Sequence, residues 1–230
     1  MRYALPTITL MLLLLPLPAG AIPAITCHCF TDRSYDPARP ALADPYFLAT
    51  TQNSFFAEVF GVDKKSLVMK KQQGAASDDL WIAYWVGSKM GMSPESLLKA
   101  RQERGQWKDV LAPLRPSAKV VGTRFAALLN GKGSQPLLAE AVVDELFRSR
   151  QLLPDKELAA LRQAGASNQE VILATVIAAR TRQPARQIYL GVKNGSRTWG
   201  AHLQGAKIDT KNMQQEVADL LHLGPNQGGR

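Results

Sequence analysis

The chain has 230 residues, of which 46% are hydrophobic and 20% are charged. This length is enough for one large domain or two small ones, each with a hydrophobic core. The 28 basic and 19 acidic residues give a formal net charge of +9, which favours anionic neighbours. The chain has only two cysteines and three histidines and lacks the common catalytic motifs, so its composition gives no support to an enzyme.

Residues 1–21 have the pattern of a cleaved secretory signal peptide. Met1 and Arg2 give a positive start, and small residues close the segment at Ala21. The apolar run between them, at roughly 13 residues, is shorter than the roughly 20 that a membrane-spanning helix needs. We therefore expect a periplasmic or extracellular protein, without a transmembrane helix in its mature chain.

In that compartment the positive charge favours an anionic envelope polymer or an envelope protein as the partner. Nucleic acid is not an expected partner there. The basic residues are dispersed along the chain, and Lys64-Lys65 and Lys70-Lys71 form close pairs. Such pairs usually lie on the solvated face of a helix, and we predict that position for these lysines.

Residues 22–62 form an N-terminal segment that we predict to be irregular, apart from one helix. Prolines punctuate this segment as far as Pro45, and several phenylalanines follow. A helix from Asp44 or Pro45 to Phe60 would pack these aromatic side chains against the rest of the protein.

The same segment contains both cysteines, as Cys27-His28-Cys29. Three interpretations are open. The first is structural: buried thiols or a local disulfide would tie the N-terminus to the domain, although the tight ring of the disulfide would depart from ordinary disulfide geometry. Because a strained bond is easily reduced, a redox pair is the second interpretation. The third is a copper or zinc site, since two thiolates and an imidazole are suitable ligands when at least one further donor completes the set.

Two stretches of the chain resemble each other at an offset of about 91 residues. Residues 65–84 read KSLVMKKQQGAASDDLWIAY, and residues 156–175 read KELAALRQAGASNQEVILAT. Downstream of each stretch, proline, glycine and tryptophan recur in the same order. The pattern predicts an internal duplication.

We therefore predict a mainly α fold with two related helical units, residues 63–115 and residues 153–222. A helical connector, residues 116–152, would join the units. The glycine-rich residues 223–230 would form a disordered tail.

Each unit reads as a series of helices. The first helix should end at Gly74 in one unit and at Gly165 in the other, because glycine adopts a positive φ without steric penalty. Ser77 and Asn168 are the expected N-caps of the next helix. That helix is apolar nearly all round, and a buried strand is the alternative for it. The capping signals and the alanines favour a buried helix.

A single tryptophan follows the third helix of each unit, at Trp107 and at Trp199. We expect both to fill space in the hydrophobic core. The chain as a whole favours a non-enzymatic protein that binds or scaffolds an anionic envelope component or a protein partner. The alternative is an envelope redox or metal-handling protein that uses Cys27, His28 and Cys29. We assign no catalytic residue and no cofactor-binding residue.

Overall fold

A computed structural model describes residues 30–223 of the chain. This part contains thirteen α-helices and two short 3₁₀ turns, and none of its residues belongs to a strand. The prediction of a mainly α fold is confirmed. The predicted signal peptide, the Cys27-His28-Cys29 sequence and residues 224–230 lie outside the described range.

The helices are numbered in chain order. The first seven are α1 Asp44–Phe60, α2 Lys64–Gln72, α3 Ser77–Met90, α4 Pro94–Arg104, α5 Trp107–Leu111, α6 Ala118–Val121 and α7 Thr123–Asn130. The remaining six are α8 Gln135–Ser149, α9 Asp155–Gln163, α10 Asn168–Thr181, α11 Ala185–Lys193, α12 Trp199–Gly205 and α13 Met213–Leu220.

Side-chain caps explain where several of these helices begin. Oγ of Ser93 accepts a hydrogen bond from the backbone N–H of Ser96, and Pro94 occupies the first position of α4. At the start of α10, Ser167 and Glu170 form a capping box, in which each side chain accepts from the backbone N–H of the other residue. Local polar residues therefore define these helix starts.

The predicted N-caps of α3 and α10 are wrong by one residue. The structure places Ala76 and Ser167 at the two N-cap positions, and Ser77 and Asn168 are the first residues inside their helices. In α10 the reason is the capping box, because Glu170 can complete it only with the residue three positions earlier.

The two central segments are helices and not strands. Leu80 to Gly87 of α3 are all buried, as are Val171 to Ile177 of α10. Burial on all sides explains why neither segment has an amphipathic pattern. Gly74 and Gly165, which follow α2 and α9, have φ values of +98° and +90°. Their positive φ agrees with the predicted role of these glycines at helix ends.

Four helices form the centre of the fold. α1 packs against α10, and α3 packs against α8. Around them, α13 covers α1, α4 packs on α3, and α11 packs on α10. A cluster of aromatic rings joins α1 to α3, and it consists of Phe55, Phe56, Phe60, Trp81 and Tyr84.

The outer segments are also anchored to this core. Trp107 and Trp199 are 3% and 2% exposed, so both fill core space as predicted. The carboxylate of Asp44, at the start of α1, accepts hydrogen bonds from the backbone N–H groups of Trp199 and Gly200, at 3.0 and 2.8 Å. These bonds hold the first helix against the start of α12. Leu223, the first residue of the predicted tail, is buried.

Candidate functional site

The residues that the sequence singled out, Cys27, His28 and Cys29, lie outside the described range. Their disulfide, redox and metal interpretations therefore stay predictions. Within residues 30–223, no group of three or more His, Cys, Asp and Glu side chains is placed to hold a metal ion. Of the other two histidines, His202 lies in α12 and His222 follows α13.

A cluster of polar side chains is buried between α1 and α2. The five consecutive polar residues from Thr50 to Ser54 on α1 are all buried. Nζ of Lys64 donates hydrogen bonds to Oγ1 of Thr50, at 3.0 Å, and to Oγ of Ser54, at 2.8 Å. Nζ of Lys71 donates to Oδ1 of Asn53 at 2.6 Å. We call residues 50–54 with these two lysines the polar cluster.

Burial changes the titration of both lysines in the polar cluster. Lys71 is 7% exposed, and burial lowers the pKa of its ammonium group to about 8, although the nearby charge of Asp78 acts in the opposite direction. Burial also lowers the pKa of Lys64. The prediction of a solvated face is therefore wrong for these two residues. They turn inward because polar groups of α1 are buried and need hydrogen-bond partners.

The polar cluster does not form a site that a substrate can reach in this conformation. A lysine beside a serine hydroxyl is one arrangement of a nucleophilic pair, and such a pair needs an accessible hydroxyl. Ser54 is fully buried, and its Oγ donates to the backbone carbonyl of Thr50 at 2.8 Å. The cluster therefore joins α1 to α2 and offers no surface for binding.

An open cleft of about 520 Å³ lies between α3, α6, α7 and α8. Trp85 and Lys89 of α3 both line it, since residues four apart lie on the same face of a helix. We call it the basic cleft, because its lining contains four basic side chains and one acidic side chain: Lys89, Lys119, Arg124, Arg148 and Glu145.

Carboxylates neutralise the two arginines of the basic cleft. Arg124 forms ion pairs with Glu140 and Asp144. Arg148 forms an ion pair with Asp155, at 3.4 Å between Nε and Oδ1, and is also within 4.0 Å of Glu145. The arginines therefore contribute little net positive charge to the cleft.

The two lysines of the basic cleft are different. Neither Lys89 nor Lys119 forms an ion pair with any carboxylate of residues 30–223. Nζ of Lys89 lies 4.5 Å from the centre of the Trp85 ring, a cation–π distance. Nε1 of that ring donates to the backbone carbonyl of Val121 at 3.0 Å, which fixes the indole beside which the ammonium group lies.

A second cleft, of about 730 Å³, adjoins the basic cleft and shares Trp85 and Lys89 with it. It contains Arg150, whose Nη2 is 3.5 Å from a backbone carbonyl oxygen near the C-terminus of α1. Glu58, also in its lining, accepts a hydrogen bond from Nε2 of Gln214 at 2.7 Å. The two clefts together form a surface along which an extended anion could pass Lys89.

Among residues 30–223, no helix combines the length and apolar character needed to cross a membrane. No protein-family model matches the chain, and no curated protein or solved structure shows significant similarity to it. The function therefore has to be argued from the geometry of the protein.

The residues of the basic cleft carry no strong signal in the sequence. Lys89 follows an apolar stretch, and Lys119 lies in the predicted connector, so neither belongs to a run of charges. The packing of α3 against α6 and α8 brings them to one surface. One local signal was present, because a lysine four residues after Trp85 can place its ammonium group over the indole.

Proposed function

We propose that this protein is an exported, non-enzymatic binding protein whose basic cleft holds an anionic polymer of the cell envelope. The proposal depends on one observation: Lys89 and Lys119 face a common cleft without a carboxylate partner among residues 30–223. Positive charges in a concave surface attract anions, because the low-dielectric walls concentrate their field. Export is proposed from the pattern of residues 1–21 alone.

An extended ligand suits this surface better than a compact one. The basic cleft and its neighbour are both open, and they meet at Trp85 and Lys89. One cleft contributes Lys119 and the other Arg150. A polymer with repeated negative charges could contact all three cations at once, whereas a compact ligand would occupy one cleft.

We also propose that the fold consists of two related helical units. The starts of three consecutive helices recur 91 residues later: α2, α3 and α4 begin at Lys64, Ser77 and Pro94, and α9, α10 and α11 begin at Asp155, Asn168 and Ala185. The lengths of α2 and α9 are equal, as are those of α3 and α10. Equal spacing of equal elements supports a duplication.

The proposed repeat extends one helix further towards the N-terminus than the sequence comparison suggests. α1 and α8 begin 91 residues apart, and each has proline near its start. At equivalent positions they present Asn53 and Asp144, which accept hydrogen bonds from Lys71 and Arg162, also 91 residues apart. Each unit would then contain five helices, α1–α5 and α8–α12, with α6 and α7 between them.

This equivalence gives the packing a simple interpretation. The contact of α1 with α10 and the contact of α8 with α3 become one contact made twice, with the roles of the units exchanged. In the five-helix units, the first helix (α1 or α8) packs against the third helix of the other unit (α10 or α3). The basic cleft lies where α8 meets α3, which is a junction between units, and such junctions are common positions for binding sites.

Binding of a sulfated polyanion tests the proposed function. Heparin is titrated into the protein at two salt concentrations, with neutral dextran as the reference, and the affinity is measured by calorimetry. Replacing both Lys89 and Lys119 by Gln should weaken binding on the order of tenfold or more, since a lysine near an anionic surface contributes about 1 kcal/mol. Higher salt should weaken binding by the wild type more than by this variant.

A variant with the same charge provides the control. Lys65 and Lys156 are exposed lysines outside the two clefts, and replacing both by Gln also removes two positive charges from the protein. This control should bind heparin as the wild type does. An equal loss in the control would mean that net charge alone attracts the polymer, and the proposed site would be wrong. Recovery of an acidic envelope protein, with no affinity for polyanions, would favour a protein partner instead.

A further inference from the structure

His202 has a buried nitrogen without a hydrogen-bond partner. The residue is 9% exposed, and its Nε2 atom is inaccessible to solvent and has no partner among residues 30–223. Buried polar side-chain atoms are nearly always hydrogen-bonded, so an exception needs a reason. A ligand or an ordered water molecule would supply the missing partner.

This histidine lines an open cleft of about 740 Å³ between α11 and α12. The polar residues of the lining are Gln183, Arg186, Gln187, Asn194, Ser196, Arg197 and His202. We call it the His202 cleft. It shares no residue with the basic cleft, so the two surfaces can be tested separately.

Gly191 creates the space in front of the imidazole. A Cβ atom at this position would lie 3.5 Å from Nε2 of His202 and 3.6 Å from Oγ of Ser196. Both polar atoms therefore border the volume that glycine leaves empty. Nε2 is covered in this structure, so a ligand that bonds to it has to displace a neighbouring group. Ser196 is the exposed neighbour, and its Oγ donates to the backbone carbonyl of Gly191 at 2.8 Å, a bond that this displacement would break. Glycine inside a helix is destabilising relative to alanine, so this space has an energetic cost.

The charges of the His202 cleft select the ligand. Two guanidinium groups, of Arg186 and Arg197, line it, and none of its described lining residues is a carboxylate. Neither arginine forms an ion pair within residues 30–223, although Nη2 of Arg197 donates to the backbone carbonyl of Ala201 at 3.1 Å. Such surroundings repel a metal cation and attract an anion.

The imidazole is suited to bind the same ligand. Burial, and to a smaller extent the charge of Arg197, lower the pKa of His202, so the ring is neutral at neutral pH. A neutral imidazole with its proton on Nε2 can donate one hydrogen bond to an oxygen of the ligand. Arginine recognises carboxylate and phosphate with paired donors, which fits the two guanidinium groups of the cleft.

We infer that the His202 cleft binds a small molecule that carries a carboxylate or a phosphate. Arg186 and Arg197 balance its charge, and Nε2 of His202 donates a hydrogen bond to one of its oxygens. This inference does not depend on the function proposed for the basic cleft, because different residues and a different observation support it.

Nuclear magnetic resonance of the histidine side chains tests the inference. The chain has three histidines, and the signal of His202 is the one missing from the His202→Gln variant. Inorganic phosphate and succinate are the two probes, titrated at constant ionic strength with chloride as the reference salt. Binding should shift the His202 signal in a saturable way and raise the pKa of its imidazole, because a bound anion stabilises the protonated ring.

Three variants and one control variant locate the binding. Arg186→Gln and Arg197→Gln should each weaken it tenfold or more, since hydrogen bonds to charged groups are roughly twice as strong as neutral ones. Gly191→Ala should abolish it without unfolding the protein, because its contacts of 3.5 and 3.6 Å are ordinary van der Waals distances and alanine favours the helix. Lys156→Gln, a charge change outside the cleft, should leave binding unchanged.

The outcomes separate the two probes and the competing explanations. Saturation by phosphate alone or by succinate alone identifies which of the two groups the cleft accepts and supports the inference. If the shift of the His202 signal persists in Gly191→Ala, the bound group is an adventitious ion only, and this result would overturn the inference. A high-resolution structure with phosphate and succinate present, in which Nε2 bonds to a buried water alone, would overturn it as well.

Discussion

Lys71 donates a hydrogen bond to Asn53 inside the protein core, at 2.6 Å between Nζ and Oδ1. At the positions 91 residues later, Nε of Arg162 donates to Oδ1 of Asp144 at 2.9 Å. The two contacts have similar geometry and different charge. In the first pair a buried cation meets a neutral amide, and in the second it meets a carboxylate. The pairs should therefore respond differently to pH and to mutation.

The Lys71 pair should make stability depend on alkaline pH. The pKa of Lys71 is lowered from 10.5 to about 8 by burial, so between these values the unfolded chain holds a proton that the folded protein has released. The free energy of unfolding should therefore rise with pH in this window, and the gain should be lost progressively as the pH falls from 10.5 towards 8. Relative to Lys71→Gln, we expect a gain on the order of 3 kcal/mol from pH 7 to pH 10.5, measured by urea unfolding.

Lys65→Gln is the matched control for this experiment. Lys65 lies on the same helix and is exposed, so its removal should leave the pH dependence of the wild type unchanged. Lys64 is present in both proteins being compared, and its own lowered pKa cancels in the difference. A difference between wild type and Lys71→Gln that stays constant from pH 7 to 10.5 would contradict the lowered pKa of Lys71.

The Asp144 pair should be sensitive to removal of its acid. Asp144 is 1% exposed and receives hydrogen bonds from Arg124 and Arg162. Asp144→Ala should lower the free energy of unfolding by about 3–5 kcal/mol, because it leaves the largely buried Arg162 without its countercharge. Asp155→Ala removes an exposed partner of Arg148 and should cost less than about 1 kcal/mol. Equal effects in chemical denaturation would contradict the importance of burial at Asp144.

The helices were predictable from the sequence because their signals are local. Gly74 and Gly165 mark helix ends through their own φ angles, and Pro94 marks a start through its own ring. Even the error at Ser77 and Asn168 is a shift of one residue within such a signal. Structure that depends on neighbouring residues in the chain can be predicted from the sequence.

The burial of Lys71 was not predictable in this way. A lysine pair on a helix indicates a solvated face, and nothing near Lys71 in sequence suggests otherwise. The reason lies in α1, where buried residues 50–54 need partners that α2 supplies. The basic cleft and the His202 cleft depend in the same way on contacts between distant segments, so the sequence pointed to neither.

The exchanged packing of the proposed units makes a prediction about cleavage. A protease site is inserted between Gly131 and Lys132, in the loop before α8. Cutting it breaks the chain between the two proposed five-helix units. Since α1 packs on α10 and α8 packs on α3, each fragment holds helices that the other needs. The fragments should stay together in size-exclusion chromatography after cutting and separate in urea.

The uncut form of the same protein is the control, and its elution and helical circular dichroism should match those of the cut form. Each fragment purified from urea should remain largely unfolded alone, because α1 then lacks α10 as its packing partner and α8 lacks α3. The helical signal should return when the two fragments are mixed. Two stable, separately folded fragments would contradict the exchanged packing.

The last prediction concerns Cys27 and Cys29. If the two form a local bridge, replacing both by Ser should lower stability by much less than the roughly 3 kcal/mol typical of a 15-residue disulfide loop, because a ring of three residues constrains the unfolded chain little. A thiol count on the denatured, unreduced protein should then find no free cysteine. A metal site with His28 predicts a different result: stoichiometric copper or zinc by elemental analysis, lost in the double Ser variant, and a melting temperature lowered by chelation. A redox pair would instead be reduced at a potential well above that of ordinary structural disulfides. We expect the bridge, and stoichiometric metal in the protein purified from its own envelope would contradict that expectation.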